Sequence, residues 1–141
     1  MTTIVYDHKN KIIAYDSRLT AGTLIVSDNH NKHRKCKRGW DWVISATEHD
    51  TDQFIDLFAE QESANLSYDV DCVVVIDGLA FNAYVNDGMF KLCPLVHSEC
   101  FGSGGRFALA ALDFGKSAKD AIKYAMKRDS ATGGKIRMLK L

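Results

Sequence analysis

"TTIVYDHKNKIIAYDSRLTAG" (residues 2–22) sets two short apolar runs, "TTIVYD" and "KIIAYD", on either side of the polar "HKNK". Apolar, β-branched runs around a polar turn read as a β-hairpin. Reading outward, "LTAGTLIVSD" adds a short strand after a glycine turn, and "WDWVISAT" adds another. The period changes at Glu48. "EHDTDQFIDLFAEQE" puts Phe54, Leu57 and Phe58 at helical spacing, with Asp50, Thr51 and Asp52 near the start to serve as cap and dipole partners. "DVDCVVVIDG", "LAFNAYVNDG" and "MFKLCPLV" then read as a three-strand meander. Its turns fall at Asp77-Gly78 and Asp87-Gly88, because an Asp-Gly pair supplies the left-handed backbone that a tight hairpin needs. "SECFGSGGRFALAALDFG" predicts a strand, a glycine-rich turn and a helix. "SAKDAIKYAMKRDSATG" predicts a second helix, with Ser117 and Asp120 resembling a capping box and Ala121, Ile122, Ala125 and Met126 as its apolar stripe. "GKIRMLKL" closes as a strand. Many strands, one helix, a meander, two helices and a strand make an α+β order.

With 141 residues, the chain reads as one domain, 1–141, long enough for a sizeable core. Eighteen basic residues balance eighteen acidic ones, so no whole-protein field draws it to DNA or to a membrane. Its longest apolar runs are too short to span a bilayer, and "MTTIVYDHKN" lacks the apolar stretch of a secretory signal. The four cysteines form no Cys-x-x-Cys pair, which favours free thiols in a reducing cytoplasm.

Against that neutral balance, "NHNKHRKCKRGW" (residues 29–40) crowds Lys32, Arg34, Lys35, Lys37 and Arg38 around His30, His33 and Cys36. A metal site would need further ligands, and no second His/Cys cluster lies at suitable spacing, so no metal and no cofactor is expected. A nucleic-acid patch over residues 32–38, with Trp40 and Trp42 beyond it, is the more distant reading, since a short basic run is ordinarily a solvated strand edge. "GSGG" (102–105) before a helix invites a phosphate reading, but it matches neither the dinucleotide fingerprint nor the Walker A pattern.

The chain start offers different chemistry. Thr2 is small enough to permit removal of Met1, which would leave a hydroxyl and a free α-amine on one residue. An α-amine of pKa ~7.7–8.0 suits a general base near neutrality, and the hydroxyl beside it is a nucleophile. Such a site needs a buried cation and a carboxylate to hold it; Lys32 and Asp16, at a strand end, can supply them.

"TTIV", "DSRLTAG" (16–22), Lys32 before "HRK", "VISAT…DQFIDLF", "FGSGG" and "AIKYAMKRDSATGGKI" follow one another in an order that resembles a β-type proteasome subunit, and most of all the HslV-type peptidases of the N-terminal-nucleophile hydrolases. The resemblance runs nearly end to end. It implies a four-layer αββα sandwich with a reduced helix layer. It implies Thr2 as nucleophile, Asp16 and Lys32 as its charged pair, Ser103 near the amine, and Asp129 with Thr132 as the Asp-x-x-Ser pair, Thr standing for Ser. It also implies a peptide or unfolded-protein substrate, a homo-oligomer such as a ring, and an unfoldase ATPase as partner. The alternative is a catalytically inactive interaction or scaffold protein of the same fold. Two departures stand out. Glu48-His49 occupies the place of the family's Gly-Gly pair, which makes Glu48 the backbone candidate for the oxyanion. Only one helix fits between Glu48 and Asp71, where the family has two. Trp40, Trp42 and Phe90 are the expected apolar surface for assembly.

Overall fold

The computed structural model describes residues 2–45, 48–60 and 70–141, without the side chains of 48–50 and 59. It comprises two compact units, the residues up to Lys32 together with Val96–Leu141, and His33–Leu95.

The first unit is built on the hairpin of β1 (Ile4–Asp7) and β2 (Ile12–Tyr15). The Asp7 carboxylate accepts from the Asn10 amide and side chain, which closes the "HKNK" turn. β3 (Leu19–Ala21) and β4 (Leu24–Ser27) form a separate two-stranded ribbon. Strand therefore lies on both sides of the glycine turn, where the sequence suggested it only after. β10 (Glu99–Phe101) and β11 (Arg137–Lys140) flank the hairpin in the order β10-β1-β2-β11, the strand contacts all being antiparallel. α2 (Gly105–Asp113) and α3 (Ala118–Arg128) pack on it. Their core is made of small residues: Ala108, Ala111, Ala118, Ala121 and Ala125 close on Val5 and Ala14, with Ile122 as the largest fully buried side chain among them. Ser117 caps α3 by accepting from the Asp120 amide at 3.2 Å.

The second unit is a five-stranded antiparallel sheet, β5 (His33–Lys35), β6 (Asp41–Ser45), β7 (Asp71–Ile76), β8 (Leu79–Asn86) and β9 (Met89–Pro94), in sequential order. Asp77 and Gly78 (φ 52° and 76°), and Asp87 and Gly88 (φ 51° and 72°), turn the meander through left-handed pairs, as the Asp-Gly signals predict. α1 (Glu48–Glu60) buries Phe54, Ile55 and Phe58 against the sheet. Trp42 is part of this core and is fully buried, and Phe90 packs on Phe54 and Phe58 at 5.7 and 4.9 Å. Trp42 thus cannot belong to the expected assembly surface, whereas Trp40 and Phe90 are only partly buried. Alternation on a sheet covered by an aromatic helix points Trp42 inward, and Trp40 and Phe90 pack beside it. The side chain of Asp50, an expected cap, lies outside the described residues.

Candidate active site

Strand register brings the chain start to Asp16. β1 and β2 pair with Ile4 opposite Tyr15, so the next residues outward, Thr3 and Asp16, also meet, and the Asp16 amide donates to the Thr3 carbonyl at 3.3 Å. On the other side of β1, Ile4 lies opposite Phe101, which delivers Gly102 and Ser103 to the same end. Gly102 has φ +88°, and a Cβ there would collide with the Thr2 carbonyl. The glycine of "FGSGG" is required by close backbone approach.

Asp16 is fully buried and is the hub of this end. Its Oδ1 accepts from the Thr2 hydroxyl at 2.6 Å, the Thr3 amide at 3.1 Å and the Lys32 ammonium at 2.6 Å. Its Oδ2 accepts from the Gly133 amide at 3.0 Å and the Arg18 amide at 3.3 Å. Lys32 Nζ also donates to Thr2 Oγ1. Burial of this ion pair is costly unless every lone pair and proton finds a partner, and here the carboxylate has five donors.

Lys32 stands apart from its basic neighbours. Its side chain is only 4% exposed, whereas Lys35, Lys37 and Arg38 are exposed on the other unit. Burial drives the Lys32 ammonium below its ordinary pKa, against the opposing pull of the Asp16 carboxylate. A less basic ammonium is a stronger hydrogen-bond donor to an oxygen gathering charge, which is what a hydroxyl becoming a nucleophile requires.

A second group lies alongside. Ser103 Oγ and Thr132 Oγ1 donate to the same oxygen of Asp129, at 2.6 and 2.5 Å. Burial raises the Asp129 carboxyl, but these two hydroxyls and the Ala131 amide outweigh it, so its pKa falls below the ordinary value. Thr3 joins the two groups. Its amide binds Asp16, and its buried hydroxyl meets Thr132 Oγ1 at 2.7 Å. All six residues singled out from the sequence thus fall into two hydrogen-bonded trios, Thr2–Asp16–Lys32 and Ser103–Asp129–Thr132.

Sequence reasoning missed Thr3 and the Gly133 amide. The doubled Thr2-Thr3 before a strand and the doubled Gly133-Gly134 were the available signals. It also missed Arg18, whose guanidinium grips Asp28 at 2.8 and 3.2 Å and the Ser130 carbonyl at 2.9 Å, pinning the loop that offers the Gly133 amide. Glu48 is the first residue of α1, in the other unit, and its side chain lies outside the described residues.

Among the described residues no group of three His, Cys, Asp or Glu is arranged to hold a metal ion. The four cysteines are free, and burial pushes the Cys72 and Cys100 thiols up to about 12, which leaves them poor nucleophiles at neutral pH. Among the described residues no helix is long and apolar enough to cross a membrane.

No protein-family model and no curated protein matches the chain. Solved structures do. BPH of Thiobacillus denitrificans in complex with epoxomicin is similar with a TM-score of 0.74 at 16% identity, over 98% of this chain and 97% of that one. Eukaryotic HslV from Trypanosoma brucei is similar with a TM-score of 0.72 at 14% identity, over 99% of this chain and 100% of that one. A second structure of the Thiobacillus protein gives a TM-score of 0.67 at 16% identity, over 98% and 95%. At these identities the likeness is one of fold, and it extends along the whole chain.

Proposed function

Starting from a chain that has the reduced α+β, HslV- and proteasome-like fold of the N-terminal-nucleophile hydrolases, we propose that it is a threonine peptidase whose nucleophile, Thr2, is exposed when Met1 is removed. The observation that carries this reading is the buried Lys32 ammonium, bound at once to the Thr2 hydroxyl and the Asp16 carboxylate.

The chemistry runs in two halves. Thr2 Oγ1 attacks the substrate's peptide carbonyl and its proton passes to the Thr2 α-amine, while Lys32 stabilises the oxygen as it gathers charge. The tetrahedral intermediate expels the leaving nitrogen, which takes that proton from the amine, and an ester to Thr2 remains. Water then attacks the ester, the amine again accepts a proton, and the C–O bond breaks to release the acid and restore the hydroxyl. Asp16 holds Lys32. Ser103, Asp129 and Thr132 orient the amine, and the Glu48 backbone N–H is the oxyanion donor in this scheme. Peptides or unfolded proteins are the proposed substrates. A homo-oligomer such as a ring, served by an unfoldase ATPase, is the proposed working form.

One observation favours the rival reading of an inactive scaffold of the same fold, namely Glu48-His49 where the family places two glycines. A carboxylate next to a developing oxyanion is unfavourable unless it points away. Intact-mass spectrometry separates the two. Epoxomicin is bound by the Thiobacillus protein, and an epoxyketone of that kind needs both the hydroxyl and the free amine of Thr2 to form its adduct. Loss of one methionine mass, followed by a stoichiometric adduct mapped to Thr2, is expected. Retained Met1 with no adduct would overturn the peptidase.

A further inference from the structure

The helical hairpin of α2 and α3 carries a hollow that peptide hydrolysis does not use. Ala110, Ala111, Phe114, Lys116 and Tyr124 line a volume of about 230 Å³. The two alanines give it depth and the two rings give it sides. Phe114, the residue that ends α2, is 88% exposed, an unusual position for so large an apolar side chain. Its backbone is nevertheless fixed. Phe114 caps α2, Gly115 turns left-handed at φ +86°, and the Lys116 amide returns to the Ala111 carbonyl at 3.0 Å. Tyr124 is held from the other side by the Arg128 guanidinium, 6.0 Å above its ring.

Charge says what this hollow would accept. Between Gly105 and Arg128 the chain places six exposed bases, Arg106, Lys116, Lys119, Lys123, Lys127 and Arg128, against only Asp113 and Asp120. That local excess of positive charge stands in a protein whose formal net charge is zero. Two copies meeting through this face about a twofold axis would set like charge against like, which disfavours a second copy as occupant. The hollow also falls short of the roughly 300–1,000 Å³ typical of small-molecule sites, and so suits one inserted side chain.

We infer that the α2–α3 face is a docking site for an acidic peptide segment of a partner protein, which seats one large apolar side chain between Phe114 and Tyr124 and pairs its carboxylates with Lys116, which lines the hollow, and Arg128, which lies over Tyr124.

The test uses the full chain and a fluorescein-labelled peptide of sequence EEDLFEDE. Two controls accompany it: one with the Leu-Phe pair replaced by Ala-Ala, and one with every acidic residue replaced by Lys. Fluorescence anisotropy should show saturable binding with a Kd of about 10–100 μM, weakening as salt rises. Both control peptides, and the variants Phe114→Ala and Lys116→Glu, should weaken it about tenfold or more. Phe114 is so exposed that its truncation leaves the core intact, and circular dichroism checks this. Lys32→Ala should bind the peptide unchanged, which separates docking from occupancy of the peptidase site. Absence of saturable binding, binding indifferent to Phe114→Ala and Lys116→Glu, or binding lost in Lys32→Ala would each overturn the inference. Self-association in sedimentation that Phe114→Ala abolishes would also overturn it, because the face would then be covered by another copy.

Discussion

The unit that holds Thr2 buries hydroxyls and charges, while the unit that holds Trp42 buries rings. Among the described residues, Thr2, Thr3, Asp7, Asp16, Ser17, Lys32 and Thr132 are the buried polar groups of the first, and Thr51 is the only one of the second. The cluster between helices and hairpin in the first is largely alanine, which contributes little burial energy per residue and lets helices lie close to the sheet. In the second, Trp42, Phe54, Phe58 and Phe90 meet ring to ring at 4.9–6.1 Å. The buried polar end of the first unit draws its order from hydrogen bonds. The second unit is arranged for packing, and its order comes from shape.

If that division is right, the largest effect belongs to Lys32. Lys32→Ala should cut turnover of a short fluorogenic peptide by about a thousandfold or more, and Lys32→Arg nearly as far, because a bulky, planar guanidinium cannot serve in so compact a site. Lys35→Ala, a few residues along on an exposed edge, should turn over peptide normally. Full activity in Lys32→Ala would erase the contrast between the units.

Packing is tested next. Phe54→Ala should cost about 3–5 kcal/mol in denaturant unfolding, since it empties the centre of the aromatic cluster. Trp42→Phe should cost clearly less, about 1–2 kcal/mol, although it also removes a fully buried residue. Its indole N–H has no hydrogen-bond partner among the described residues, so the smaller ring relieves an unpaired donor while it opens a gap. Equal losses for the two variants would mean that shape is not what orders this unit.

A pH titration sharpens the other half. The folded-state pKa of Lys32 lies below its ordinary 10.5, so between the two values the unfolded chain binds more protons than the folded one. Stability attributable to Lys32 therefore rises with pH across that window, by at most about 1.4 kcal/mol per pH unit for one proton. Lys32→Met should remove this part of the slope, read as the difference between the two proteins' unfolding free energies from pH 7 upward. An unchanged slope would mean that burial does not govern the ammonium. The smallest effect is expected at the α3 cap, where Ser117→Ala should cost about 1 kcal/mol in thermal or chemical unfolding.

Local signals made the fold legible. The Asp77-Gly78 and Asp87-Gly88 turns, the polar "HKNK" hairpin and the capped α3 are each specified within a few residues, and each appears where those residues predict. The basic run, read as a solvated strand edge, does hold the short strand β5, but His33–Lys35 has no apolar alternation and its bounds are set only by its pairing with β6. Trp42 was misjudged for a related reason: a tryptophan beside five bases looks like surface until the sheet face it occupies is known. At the site, side chains with a motif around them could be named, from Thr2 to Thr132. The Thr3 hydroxyl acts through Thr132, 129 positions away, and Gly133 through a backbone amide that leaves no mark on residue identity.

That long reach has a consequence for how the protein is made. Thr3 and Thr132 are separated by 129 positions, and Asp16 and Gly133 by 117. On the ribosome, Thr2, Asp16 and Lys32 emerge close together, yet the hydroxyl and amide that complete their hydrogen bonding, from Thr132 and Gly133, follow long after them. Contacts of such separation form late, after the chain has met the entropy of closing the loop between them. The nascent polypeptide therefore carries this charged cluster before its hydrogen bonding is complete. The Thr2 end takes its final shape only once Thr132 and Gly133 have left the ribosome and returned to it.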